Sequence, residues 1–132
     1  MPHIVIHLSG QPDPTTSRQV VDKVMELTHA VLGKAPEVTA ITLQYIAQDD
    51  WFIAGKPLSE TGQHAFHLDI SVTDETNTKQ EKARYIAAIH TAFGQLLGRL
   101  HECSYVHVID ARATAYGYGG ATQEYRHQRA GV

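Results

Sequence analysis

Apolar and polar residues alternate at the start of the chain, in "HIVIHLS", and again in "AFHLDISV" and "SYVHVIDA". A period of two marks a half-buried strand, so residues 4–8 predict the first one. Between the first two of these runs the spacing changes to three and four. In "QPDPTTSRQVVDKVMELTHAVLG", Val20, Val24, Leu27 and Val31 form one stripe, with Val21, Thr28 and Leu32 beside it. That pattern predicts an amphipathic helix. Thr16 and Gln19 fit a capping box behind Pro14, and Gly33 fits a helix stop. "VTAITLQYI" then reads as a second strand, rich in β-branched residues.

The second half repeats the plan. "AFHLDISV" leads to "NTKQEKARYIAAIHTAFGQLLG", with Asn77 and Gln80 at the capping positions and Gly98 as the stop. Ala83, Ile86, His90, Phe93 and Leu97 make the predicted stripe, and "SYVHVIDA" closes the unit. Moving the first helix along by 61 residues lays Gln19 on Gln80, His29 on His90 and Gly33 on Gly94. A shift of 64 lays Gly55 of "WFIAGKP" on Gly119 of "YGYGGAT". A period this long is too large for a solenoid and suits two βαβ units.

Each βαβ crossover is expected to be right-handed. Joined, the two give an α/β (α+β) fold with a four-stranded mixed sheet and both helices on one face. The chain is expected to be one domain over residues 1–132. Pseudo-repeats of about 1–62 and 63–122 are followed by the polar tail "QEYRHQRAGV". The second sheet face has no cover within the chain. Ile, Val, Leu and Tyr at alternate strand positions predict its burial against other copies, hence an oligomer. The Gly-rich endings of both halves predict short hairpins that dock onto neighbours.

Composition narrows the function classes. The 132 residues hold 11 basic, 14 acidic and nine histidine side chains, for a formal charge of −3, with 42% apolar residues. No Lys/Arg cluster offers a nucleic-acid footprint. No apolar run approaches the ~18 residues needed to span a bilayer. The first ten residues lack the basic start and apolar core of a signal peptide. Cys103 stands alone, so no internal disulfide forms, and a reducing cytoplasm fits best.

Pro2 directly precedes the first strand. One reading is positional: proline is accepted at a strand's first residue, where no ladder donor is needed. The other treats the ring nitrogen as chemistry.

The Met-Pro strand start, the βαβ unit ending in an aromatic-Gly hairpin and the fused second copy together resemble the tautomerase superfamily. "YVHVIDARATAYGYGG" is similar to the closing motif of 4-oxalocrotonate tautomerase, and "WFIAGKP" is its counterpart in the first half. The doubled length resembles fused members such as malonate semialdehyde decarboxylase and cis-3-chloroacrylic acid dehalogenase. The resemblance covers the chain to about Thr122. It implies a cofactor-independent isomerase, trimeric in the family, acting on a small carbonyl or enol acid. The methionine is removed in such proteins, and the residue that matches their catalytic base is Pro2. A free α-amino group ordinarily titrates near about 7.7–8.0. An apolar pocket favours its neutral form, which then moves a proton from the carbon next to a carbonyl.

Proton transfer at carbon also needs a donor or cation where enolate charge develops. The arginines that serve this in the family are not matched. Gln11 stands in the turn after the first strand, Ile41 and Tyr105 fall at the second-strand position, and "ISVTDETNT" lacks the pair near the second helix. The dehalogenase's water-activating glutamate falls on Ala115 or Tyr118. His29, in "THAVLG", matches a histidine of the cis-dehalogenase and is either a hydrogen-bond donor to substrate or a structural histidine. His90 takes the equivalent place in the second half and reads as structural. Arg112 is the best cationic candidate, with an ion pair to Asp110 or Glu124 as the alternative. Tyr116 and Tyr118, with His107, are assigned to the substrate pocket, while an interface plug is the other role open to the tyrosines.

Nine histidines raise the question of a metal. His3 and His7 share one strand face and His64 and His67 do not. No Cys pair, HExxH or carboxylate cluster supports zinc or iron, so neither metal nor cofactor is expected. A non-catalytic oligomeric binding protein on the same scaffold is the rival reading. A decarboxylase or hydratase is the enzymatic one.

Overall fold

The computed structural model describes residues 2–131, of which 130 and 131 are described by backbone alone. Its elements run in the same order twice. The first half comprises β1 (His3–Ser9), α1 (Pro14–Leu32), β2 (Ala40–Ile46), β3 (Phe52–Ile53), β4 (Lys56–Pro57) and the short α2 (Leu58–Thr61). The second comprises β5 (Phe66–Thr73), α3 (Lys79–Leu97), β6 (Tyr105–Ala111), β7 (Gly117–Tyr118), β8 (Ala121–Thr122) and α4 (Gln123–Gly131).

The main sheet has the order β2-β1-β5-β6. β1 pairs parallel with β2, and β5 with β6, while β1 and β5 join the halves antiparallel. The central strands are buried on one face at every second residue: Ile4, Ile6 and Leu8 on β1, and Phe66, Leu68, Ile70 and Val72 on β5, all at 0% exposure. α1 covers them with Val20, Val24 and Leu32, and α3 with Tyr85, Ile89 and Phe93. Removing each such side chain from water contributes about 1.5–3 kcal/mol. This shared core, rather than helix propensity, holds both helices down.

Both helices start away from the predicted caps. α1 begins with Asp13 as N-cap, accepting from the Thr15 N–H at 3.1 Å, with Pro14 in the first turn. The Tyr45 hydroxyl donates to the Asp13 carbonyl at 3.0 Å and so ties this cap to β2. Proline's fixed φ suits the first helical position, so the helix starts there and not at Thr16. In α3 the capping box is one residue later than expected. Thr78 accepts from the Glu81 N–H at 3.1 Å, and the Thr78 N–H donates back to Glu81 Oε1 at 2.8 Å. Asn77 instead bridges the halves, donating to the Leu32 carbonyl at 3.0 Å. Gly33 ends α1 at φ 70°, as its place in the sequence predicts.

The buried stripe of α3 is Tyr85, Ile89, Ala92 and Phe93, rotated from the predicted one. Ile86 is 40% exposed. Tyr85 buries more apolar surface than Ile86 and finds a partner for its hydroxyl inside, so the helix turns that side inward. The polar tail forms α4 over its described residues.

Both Gly-rich endings are hairpins with two-residue turns. Ala54 and Gly55 (φ 55° and 77°) close β3–β4, and Gly119 and Gly120 (φ 62° and 81°) close β7–β8. Positive φ at both central residues is the turn whose twist matches a hairpin.

The uncovered sheet face differs from expectation. Its rows are Ala40–His3–Ser71–Ile109, Thr42–Val5–Asp69–His107 and Gln44–His7–His67–Tyr105. The alternating Ile and Leu of β1 and β5 all point to the helices, so the period of two leaves His, Asp and Ser on the other side. This face is polar at its centre. Large exposed apolar side chains lie at its β6 edge and on the hairpins: Tyr105, Ile109, Phe52 and Tyr118.

Candidate functional site

Pro2 immediately precedes β1 and is buried. Its carbonyl accepts from the Ala40 N–H at 3.3 Å, which extends the β1–β2 ladder by one residue. Met1, whose removal the family resemblance implies, lies outside the described residues. Because β1 runs antiparallel to β5, the same sheet end carries the last residues of β5 and β6. Three loops meet there: 33–39 after α1, 74–77 after β5, and the segment after β6.

His29 lies in the last turn of α1, exposed, with Nδ1 3.1 Å from the Lys34 carbonyl oxygen. It is at the Pro2 end of the sheet. His90 instead packs beside Phe66, with ring centroids 6.1 Å apart, as a structural residue would. Arg112 is exposed and makes no ion pair among the described residues. It lines a shallow cavity of about 350 Å³ with Asp74, Glu75 and Glu124. Asp110, one of the two partners expected for it, is held by Lys82 Nζ at 2.7 Å, and Glu124 makes no ion pair with it among the described residues.

The two tyrosines flanking Gly117 separate. The Tyr116 hydroxyl makes a short hydrogen bond with Thr73 Oγ1, at the sheet end where Pro2 stands. Tyr118 turns toward α4, where the Arg126 guanidinium lies 3.9 Å from its ring centroid and donates to its carbonyl at 2.8 Å. His107 lies in the middle of β6 on the open face, 3.0 Å from Asp69 Oδ1, and not among the loops near Pro2.

Lys34 is a cation that sequence reasoning passed over. Half-buried in the loop after α1, it donates to Thr76 Oγ1 at 2.9 Å. Burial pushes its ammonium below the ordinary lysine range, while the nearby Glu81 charge pulls the other way. On the open face, burial raises the Asp69 carboxyl, but hydrogen bonds from His67 and His107 outweigh it and hold the group below the usual carboxylate range. Neither residue carries a local motif. Lys34 gains Thr76, and Asp69 gains His107, from positions far away in the chain.

A cavity of about 530 Å³ is at the opposite end of the sheet from Pro2. His7, His67 and Tyr105 form part of its wall, with Trp51, Phe52 and Phe66. His7 is five residues along β1 from Pro2, roughly 17 Å at the rise of a strand. Pro2 lines neither this cavity nor the one around Arg112.

No protein-family model matches the chain, and no curated protein matches it either. Solved structures do. A fused 4-OT wild type symmetric trimer superposes with a TM-score of 0.76 at 19% identity, over 92% of this chain and 96% of that one. Pt0534, inactivated by 2-oxo-3-pentynoate, gives 0.80 at 14% identity, over 93% and 98%. FG41 malonate semialdehyde decarboxylase inhibited by 3-bromopropiolate gives 0.73 at 16%, over 98% of both chains. The chain has the fold of these structures, fused 4-OT among them. The fold is shared over 92–98% of this chain, while most side chains differ.

Proposed function

We propose that this protein is a cofactor-independent tautomerase that uses the Pro2 nitrogen as a general base. The observation that carries the reading is the burial of Pro2 at the head of β1, in the fold shared with the fused 4-OT chains. With the methionine gone, the ring nitrogen is a secondary amine whose surroundings favour the uncharged form. The amine takes a proton from the carbon beside the carbonyl of a small keto or enol acid and returns it at the other end of the enolate. Developing charge on oxygen is met by Arg112, with the Tyr116 hydroxyl and His29 as hydrogen-bond donors. Tyr118 is a further pocket group by resemblance only; it is held by Arg126 in one chain, and His107 is held by Asp69 away from Pro2.

Neither of the two cavities above encloses Pro2 in a single copy. A homotrimer is therefore part of the proposal: a neighbour's exposed hairpin aromatics, Phe52 or Tyr118, close the pocket. The trimeric state of similar structures supports it. No helix among the described residues is long and apolar enough to cross a membrane. The exposed free Cys103 supports a reducing compartment, the cytoplasm.

The test begins with intact mass and N-terminal sequencing of the purified chain. Ketonisation of phenylenolpyruvate then compares wild type with Pro2→Ala. Loss of a positioned base lowers kcat/KM by about 10²–10⁴-fold. Equal rates would reject the base and favour a non-catalytic binding protein.

Decarboxylation or hydration of a small β-keto or unsaturated acid is a second reading. It is favoured by the full-length likeness to FG41 malonate semialdehyde decarboxylase and by two cations, Arg112 and Lys34, in loops at the Pro2 end. Such reactions depend on a cation more steeply than enol ketonisation does. Arg112→Ala that leaves turnover of these acids unchanged removes Arg112 from that role.

A further inference from the structure

Two histidines and an aspartate converge on the open face of the sheet, away from Pro2. His67 and Asp69 are two residues apart on β5 and share a face, and Asp69 is the register partner of His107 across the parallel β5–β6 pair. Strand pairing, not a loop, sets their spacing. His67 Nε2 lies 2.8 Å and His107 Nδ1 3.0 Å from the same oxygen, Asp69 Oδ1. All three ligand atoms lie within 4.8 Å of one another.

The rings are also braced from outside. His7 stands edge-on to His67 with centroids 5.7 Å apart, and Tyr105 lies 6.0 Å from His107. The two histidine rings cross at 76°, so their near nitrogens aim at one region and do not stack. Side chains held on strands by such neighbours make a more exact site than loop residues do.

We propose that His67 Nε2, His107 Nδ1 and the Asp69 carboxylate bind one divalent first-row transition-metal ion of the zinc type. Two imidazoles and a carboxylate suit zinc, cobalt or nickel better than calcium or magnesium. Zinc bonds of about 2.0–2.2 Å in tetrahedral geometry put ligand atoms about 3.3–3.5 Å apart. The two N–O separations, 2.8 and 3.0 Å, reach that when the carboxylate backs away by about half an ångström, and the two nitrogens are within 4.8 Å of each other. Each neutral imidazole has one N–H and one lone pair, so moving the proton to the far ring nitrogen turns the near one into a ligand. The carboxylate supplies a negative charge opposite the cation.

Three protein ligands leave a coordination position for water or a small anion. His67 also lines the 530 Å³ cavity, together with His7 and Tyr105. The open position is therefore at the edge of that cavity. The inference does not rest on the role of Pro2, and its test reads binding, not turnover.

Tag-free protein stripped with a chelator is titrated with Co²⁺ followed by visible absorption, then with Zn²⁺ by calorimetry. One Co²⁺ per chain is expected, with the strong visible bands of four-coordinate cobalt, and Zn²⁺ displaces it. His107→Ala, at an exposed side chain, and Asp69→Asn each weaken binding by at least about 100-fold, the upper end of what outer-shell changes alone cost. His127→Ala, on α4, leaves the titration unchanged. Circular dichroism checks that the variants fold. The proposal is overturned if wild type shows no saturable binding, or if both ligand variants titrate like wild type.

Discussion

Thr28 Oγ1 and Tyr85 OH lie 2.8 Å apart in the core, where the helix of the first half meets that of the second. Thr28 is 1% exposed and Tyr85 0%. Burial pushes the Tyr85 phenol up to about 12, with the Thr28 bond pulling it part of the way back. The two halves are thus joined by a polar contact with no water to replace it.

Tyr85→Phe leaves the Thr28 hydroxyl without its buried partner and is expected to cost about 1–3 kcal/mol, read from urea unfolding. Thr28→Val added to it removes the orphaned group and recovers most of the loss. The raised phenol also sets an alkaline limit. Its folded value exceeds the ordinary 10.0, so its stabilisation is complete below pH 10 and is lost as pH rises through about 12. Wild type therefore loses stability more steeply than Tyr85→Phe between these values.

Glu81 titrates in the other direction. The Thr78 N–H bond, then the Asn77 side chain, hold its carboxyl below the ordinary 4.5. A lowered carboxylate contributes stability above its unfolded value, lost as pH falls through the folded one. The thermal midpoint of wild type is expected to drop faster below about pH 4.5 than that of Glu81→Gln. Parallel curves would mean that the capping box is not formed in solution.

Gly117 has no room for a side chain. A Cβ there would lie 1.9 Å from the Ala121 carbonyl oxygen and 2.7 Å from Thr122 Cα. Gly117→Ala must open the β7–β8 hairpin, a local cost of about 1–3 kcal/mol for overpacking. The core lies elsewhere, so the main melting transition stays near that of wild type. Hydrogen exchange in residues 117–122 rises. If this hairpin docks onto a neighbour, sedimentation shows a weaker oligomer.

Lys82 holds Asp110 in an ion pair at 2.7 Å. Lys82→Met breaks a partly exposed bridge worth about 0–1 kcal/mol, so folding is hardly affected. The freed carboxylate is expected to compete for the guanidinium two residues on, raising KM severalfold with kcat little changed. Adding Asp110→Asn reverses the effect. No change in KM would mean that Arg112 does not hold the substrate.

The element order, the parallel pairing within each half and both hairpins were legible because each is written in local chemistry: period two, period three to four, and glycines at the turns. The position of Pro2 at the head of a strand was legible for the same reason. The helix caps were misread by one to three residues because several capping residues stand together in "PDPTT" and "TNT". Pro14 with Tyr45, reaching Asp13 from β2, selects the first cap, and Asn77, reaching Leu32, leaves the second to Thr78.

What no local pattern contains is the meeting of distant residues. His67 and Asp69 are 38 to 40 positions from His107, and Lys82 is 28 from Asp110. Sequence alone determined which residues form strands and helices and which strand positions are apolar, since backbone periodicity acts over one or two turns. Tertiary structure decided which sheet face was left polar, which acid neutralised which base, and where the cavity opened. Those outcomes depend on strand register and on the competition among buried groups for partners, and both arise only when the two halves are packed together.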